Sequence, residues 1–275
     1  METLYHYCSV EAMFSIITNH SIWLSDARTM NDHQENRWID HMVAEELDAL
    51  IPQIGIEKAR EHYQIFQHSK FNAFLFCLSK TPDLLSQWRG YASDGHGVAI
   101  GINPEFLSTD TNSPRPSGTV GETLLTLNEV IYDIDKQREI IRSGFDWLRS
   151  FKYEPGTPDF DSTLSIALSN IGRNSPICKN PGFKEEQEVR LIHMAIEHMN
   201  PDGRLYRYLA TELKAQQRIQ NGRIRTYFEI PLKKGFIREI WTGPKYQYEL
   251  RDLYLLLSRY GYFGVPIKRS SVSYR

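Results

Sequence analysis

Apolar positions along the chain switch between two periods. LYHYC and SIWLS are short runs of strand formers, and the segment between them, SVEAMFSIITNH, spaces Met13, Ile16 and Ile17 at helical intervals behind Ser9, a good N-cap. Asn31 or Asp32 then stands where it would cap a long amphipathic helix through ENRWIDHMVAEELDALI, and a further helix covers about residues 56–68. NAFLFCLS reads as a buried strand, the region around LLSQWRGY as a polar helix, and GVAIGIN as another strand. Residues 109–119, rich in Pro, Ser and Thr, read as a loop. ETLLTLNEVIYD supplies one or two strands, and helices follow near DKQREIIRSGFDWLRSF and STLSIALSNI. RIRTYFEIPL and FIREIWTG are strand-like, YELRDLYLLLSRYGY is helical, and VPIKRSSVSYR is a strand and tail. There is no repeat, low-complexity block or clear linker. Strands and helices mix without regular βαβ alternation, which predicts an α+β fold with a mostly antiparallel central sheet and helical insertions, as one domain over residues 1–275.

One segment breaks the usual separation of charge from core. In FKEEQEVRLIH, Glu185, Glu186 and Glu188 run directly into Val189, Leu191 and Ile192. Strand alternation would place Glu186, Glu188 and Arg190 on one face and Val189 and Leu191 on the other. Two acids and a guanidinium at the mouth of a sheet make either a salt-bridged rim or a site. Their proximity should raise one carboxyl pKa unless Arg190 neutralises the pair.

Bulk numbers narrow the field. The 275 residues are 41% hydrophobic and 24% charged, with a net charge of −2, so no global basic surface drives nucleic-acid binding. Aromatics reach 12%, enough to wall a pocket for a planar ligand or simply to fill a core. Three cysteines, Cys8, Cys77 and Cys178, fit neither a disulfide framework nor a zinc site, and the histidines lack metal-ligand spacing. The first residues lack signal-peptide character and no apolar run has transmembrane length. A reduced, cytoplasmic protein without a bound metal is expected.

Three clusters could carry chemistry. His6, with Tyr7 beside it, lies on the first strand. Trp23-Leu24-Ser25 precedes the polar turn Met30–Glu35, where Asn31 and Asp32 either cap a helix or present its N-terminus to an anion. Residues 86–97 place Trp88, Arg89 and Tyr91 before a Gly-His-Gly turn; Trp88 and Tyr91 would share a helix face, as core packing or as an aromatic wall with Arg89 for an anionic group. No Walker A loop, nucleophile elbow, kinase pattern or dinucleotide fingerprint is present.

LYHYCS with its helix, IWLSDARTMNDHQE, FCLSK before LLSQWRGYASDGHGVAIGI, KNPGFKEEQEVRLI, IREIWTGPK and IKRSSVSYR together resemble a large bacterial family catalogued as a domain of unknown function, DUF2971. The resemblance runs in motif order from residue 4 to the end. More distantly, the chain resembles the ADP-ribosyltransferase superfamily, with an early-strand His, a middle Ser or Tyr and a late strand opening on Glu-x-Glu. It implies His6 early, Ser25 or Tyr91 in the middle, and Glu186 and Glu188 late. It further implies transfer from NAD, as substrate, through an oxocarbenium-like state. Glu188 would face that charge, Glu186 would orient the acceptor or take its proton, and His6 would hold a ribose hydroxyl. Tyr7, Trp88 or Tyr91 would stack on a ring, Arg89 would meet the pyrophosphate, and Arg190 and Ser25 would complete the ligand contacts; Asn31 and Asp32 have no role in the superfamily pattern and join the ligand-contact set only as the helix N-terminus that would face an anion.

The leading expectation is therefore an ADP-ribosyltransferase or an NAD glycohydrolase of that fold, in a toxin or anti-phage setting. Its partners would be NAD, a nucleic-acid or protein acceptor and an inhibitory partner, with no membrane. A nucleic-acid acceptor would need basic clusters, for which Arg204 and Arg207, Lys233 and Lys234, or Arg223 and Arg225 with Tyr227 are available. The alternatives are a non-catalytic nucleotide- or partner-binding module, and a metal-dependent nuclease using Asp32, Glu35, Glu186 and Glu188.

Overall fold

The computed structural model describes residues 2–29, 37–70, 73–107, 125–199, 206–209, 213–220 and 222–274. The elements in chain order are β1 (Leu4–Cys8), α1 (Val10–Asn19), β2 (Ser21–Asp26), α2 (Asp40–Asp48), α3 (Ile51–Ile54), α4 (Ile56–Ser69), β3 (Ala73–Ser79), α5 (Leu85–Tyr91) and β4 (Val98–Ile102). They continue with β5 (Leu125–Glu129), α6 (Ile134–Ser150), α7 (Pro158–Asn174), β6 (Glu188–Met194), β7 (Ile196–Met199), β8 (Tyr206–Leu209), β9 (Ala215–Gln220), β10 (Arg223–Pro231), β11 (Ile237–Thr242), α8 (Leu250–Arg259) and β12 (Ile267–Arg269). The fold is α+β, and its main sheet is antiparallel at every pairing except β11 with β12. β7 and β8 form a separate antiparallel pair.

The sheet runs β12-β11-β4-β1-β3-β2-β10-β9, with β6 and then β5 added beside β3. β6 pairs with β3 along its whole length, from Ala73↔Met194 to Ser79↔Glu188. β1 and β2 must therefore share the opposite edge of β3. β1 takes its end, at Tyr5↔Ser79, and β2 takes its beginning, at Ser25↔Leu75 and Asp26↔Phe74. Between these pairings, residues 76–78 have no strand partner on that edge among the described residues, so the sheet forks there.

Strand alternation assigns two buried faces. Leu4, Cys8, Phe74, Phe76, Leu78, Val189 and Leu191 share one core with Met13 and Ile17 of α1 and Leu253 and Leu257 of α8. On the opposite face, Leu75, Ile192 and Met194 pack under α2, α4, α6 and α7, whereas Tyr5, Tyr7, Ala99 and Trp241 pack around Trp88 of α5. The two patches on this second face are separate cores.

Local signals explain most boundaries. The Ser9 hydroxyl accepts from the Ala12 N–H and starts α1 as its sequence position predicts. The expected long helix before residue 51 is instead α2 followed by the short α3. Pro52 lacks the N–H that would bond back to Asp48, so the helical ladder cannot run through. Asn31 and Asp32, the proposed caps, lie outside the described residues. β9 has no apolar alternation in its sequence and was not expected. It forms by pairing six residues along β10 and keeps Ile219 81% exposed.

Candidate functional site

A cavity of about 450 Å³ opens at the fork, within the usual range of small-molecule sites. Tyr5, His6 and Tyr7 of β1 line one side and Ser21, Trp23 and Ser25 of β2 the other. Residues 75–78 of β3 and residues of α1 also line it, as do Tyr91, Glu186, Glu188, Arg218 and Gln220. The register places Tyr5, Tyr7 and Glu188 on the face of α5 and His6 on the face of α1. His6 and Glu188 thus reach one cavity from opposite faces of the sheet, which is possible only because the strands part.

The fork also explains the state of His6. Its Nδ1–H donates to the Cys77 carbonyl at 2.9 Å, supplying a bond where β3 has no neighbouring strand, and its ring stacks on Phe76 at 4.2 Å. Burial lowers its pKa from 6.5 to about 4. The imidazole is therefore neutral at pH 7, with Nε2 as an acceptor.

Glu186 does not sit on the strand. It ends a 3₁₀ turn over Pro181–Glu186, and Gln187 follows in the left-handed conformation with φ 45°. The turn is anchored by Asn180, whose side chain accepts from the Gly182 N–H, and by Ser79, whose hydroxyl donates to the Glu186 carbonyl at 2.8 Å. The left-handed residue swings the chain so that Glu186 meets Glu188 after all, with Lys179 between them. Lys179 Nζ lies 2.6 Å from Glu186 and 3.1 Å from Glu188. Arg190 grips Glu188 through Nε and Nη2, both at 2.8 Å, and donates through Nη1 to the Pro176 carbonyl. Tyr91 adds its hydroxyl to Glu186 at 3.3 Å, and the Glu188 N–H donates to the Tyr132 hydroxyl. All four charged residues are buried, Arg190 completely.

The network separates the two acids. For Glu188, burial pushes its pKa up, but the Arg190 guanidinium outweighs burial, together with its hydrogen bonds and Lys179, and holds the carboxyl at about 2. For Glu186, burial dominates over Lys179 and Tyr91 and raises the pKa. Glu188 is thus a fixed anion and Glu186 the acid able to exchange a proton.

Other expected residues divide. Tyr7, Ser25 and Tyr91 line the cavity. The Tyr7 hydroxyl donates to the Thr81 carbonyl and accepts from the Leu84 N–H, which ties β1 to α5. Trp88 does not reach the cavity; it is fully buried, donates Nε1 to Asp83 at 2.7 Å and meets Tyr7 edge-on. The shared helix face of Trp88 and Tyr91 therefore does not form an aromatic wall. Arg89 is exposed, packs over Tyr274 at 5.8 Å and does not line the cavity, so the expected pyrophosphate contact has no support from its position. Arg190 serves Glu188 rather than the cavity surface. Asn31, Asp32 and Glu35 lie outside the described residues. The two remaining acids of the nuclease reading are both held by cations, Glu186 by Lys179 and Glu188 by Lys179 and Arg190. Among the described residues, no group of three or more His, Cys, Asp or Glu could hold a metal ion. Lys179, Tyr132 and Arg218 carry no sequence signal that marks them, and Trp23 stands in the cluster before the polar turn without an assigned role. Lys179 follows Cys178 without any charge pattern to mark it.

The model of the family described as "Protein of unknown function (DUF2971)" matches residues 87–191, from the helix that carries Tyr91 to the strand that carries Glu188. The match supports the DUF2971 resemblance over this part of the chain. No curated protein and no solved structure compared with the chain matches it. Among the described residues, no helix is long and apolar enough to cross a membrane.

Two outcomes follow from the electrostatics. Lys179→Met leaves a buried acid pair with one cation, and urea unfolding should show a loss of about 3–5 kcal/mol. Adding Glu186→Gln to that variant should restore part of it; a Lys179→Met protein as stable as wild type would contradict the network. Because folding lowers the pKa of His6 from 6.5 to about 4, the unfolded chain protonates first. The stability His6 contributes is complete above pH 6.5 and is lost as pH falls toward 4. Unfolding curves of His6→Gln should therefore depend less on pH than wild type in that window.

Proposed function

We propose that the cavity binds NAD and that the protein transfers its ADP-ribosyl group, or hydrolyses the same bond when water is the acceptor. The observation that carries this reading is one cavity lined by an early-strand His and by both late glutamates. This is the set and order that the ADP-ribosyltransferase resemblance implies. Breaking the bond between nicotinamide and ribose places positive charge on the sugar. Glu188, ionised at every physiological pH, offers a fixed negative charge to that state. Glu186, whose pKa is raised, takes the proton of the acceptor hydroxyl, nucleophile or water. His6 accepts a ribose hydroxyl at Nε2. Tyr91 and Trp23, which both line the cavity, replace Trp88 as the stacking surfaces for a planar ring. An acceptor of nucleic acid or protein, and a toxin or anti-phage setting with an inhibitory partner, belong to this reading.

A second reading is favoured by the charge balance. Two buried cations meet two buried acids, and Arg190 and Lys179 already donate to both oxygens of Glu188. A nucleotide-binding module without catalysis would keep such a network for its shape alone.

Nicotinamide release from NAD by the purified protein separates the two. We expect release that falls by at least roughly a hundredfold in folded Glu188→Gln, as for loss of a transition-state charge partner. Release should rise with pH in wild type as Glu186 ionises, and Glu186→Gln should lose that limb. Undiminished release in Glu188→Gln would refute the assignment. No release from folded wild type, with or without RNA, DNA or lysate, would leave the module.

A further inference from the structure

Arg218, which is half-buried, stands apart from the two buried cations of the site. Lys179 and Arg190 each have a carboxylate partner, whereas Arg218, which also lines the cavity, forms no ion pair among the described residues. Its guanidinium lies over the rings of Trp23 and Tyr227, 5.0 and 5.6 Å from their centroids. Nη2 donates to the Ser25 hydroxyl at 3.1 Å and to the Gln220 side-chain oxygen at 3.0 Å. Nε is buried without any acceptor. Leaving such an N–H unsatisfied costs about 1–3 kcal/mol, more when it belongs to a charged group. The nearby acid on β10, Glu229, is occupied by Ser21 and Gln216.

The parts around it complete a donor set. Because the Ser25 hydroxyl accepts from Arg218, its own proton is free to be donated. The aromatic rings beneath the guanidinium hold it by cation–π attraction but offer no hydrogen-bond acceptor in its plane. Nε is closed off from solvent, so an anion in the cavity meets the guanidinium at its Nη edge, with oxygens in that plane, a geometry that a guanidinium recognises better than a lysine could.

We propose that Arg218 and Ser25 form a phosphoryl seat, so that the cavity takes a phosphate- or pyrophosphate-bearing nucleotide, with the anion at the β2–β9 side and the ribose toward His6 and the glutamates. The orientation of the ribose rests on the NAD reading; the seat itself does not. It reassigns the pyrophosphate contact from Arg89, on an exposed helix surface, to a cation inside the cavity.

Calorimetric titration of the whole protein with inorganic pyrophosphate, ADP-ribose and adenosine tests the seat. Wild type should bind pyrophosphate and ADP-ribose, and Arg218→Gln should weaken both by at least roughly tenfold, the order expected for a charge-assisted contact. Arg218→Lys should recover only part, and adenosine binding should be unchanged in both variants, with folding verified by thermal melting. The seat is overturned if folded wild type binds neither anion, if Arg218→Gln binds ADP-ribose as wild type does, or if adenosine weakens equally. Arg218-dependent ADP-ribose binding without nicotinamide release from NAD would end the enzyme reading and keep the seat. Nicotinamide release undiminished in Arg218→Gln would end the seat and keep the enzyme.

Discussion

The ion network at the start of β6 is the constraint on which the site depends. Lys179, Glu186, Glu188 and Arg190 are all buried, and removing any one partner leaves a charge that the interior cannot solvate. Burial and pairing pull in opposite directions and resolve differently for each acid. Glu188 has the guanidinium side-on and ends up a permanent anion; Glu186 has one ammonium and one phenol and stays protonatable. Two chemically different carboxylates arise within three residues. That difference is what proton-transfer chemistry beside a developing cation requires.

The fork in the sheet turns this network into a site. Had β1 or β2 followed β3 along its full edge, the cleft would be closed by backbone hydrogen bonds and His6 would be one more residue of the α1 face. Because β3 gives its end to β1 and its beginning to β2, its middle residues are left to side chains, and His6 takes the Cys77 carbonyl. The cavity consequently has a polar end built on the start of β6 and the turn before it, a neutral imidazole at its fork, and a cationic, aromatic end built on β2 and β9.

Much of the strand and helix layout was legible in periodicity. The pairing of an early His with late glutamates came from motif order rather than from spacing. The sequence could not show how the acids are partnered. Reading the strand back to Glu186 ignored that Gln187 adopts a left-handed conformation, which breaks the alternation and still delivers the carboxylate to the cluster. Lys179 and Arg218 were invisible because each acts through contacts across the fold, one from a loop before the turn and the other from a strand without an apolar pattern. Trp88 and Arg89 stay undecided between core packing and a ligand wall for a related reason. Helical spacing gives the direction of a side chain around its axis, but α5 turns Trp88 into the core against Tyr7 and leaves Arg89 outside against Tyr274.

A structure determined with ADP-ribose tests the account most directly, since it locates both ends of one ligand at once. We expect the ribose to lie within hydrogen-bonding distance of His6 Nε2 and the Glu186–Glu188 pair, with the phosphates against Arg218 and Ser25. A ligand bound outside the fork, or one whose phosphates lie on the exposed face of Arg89, would contradict it.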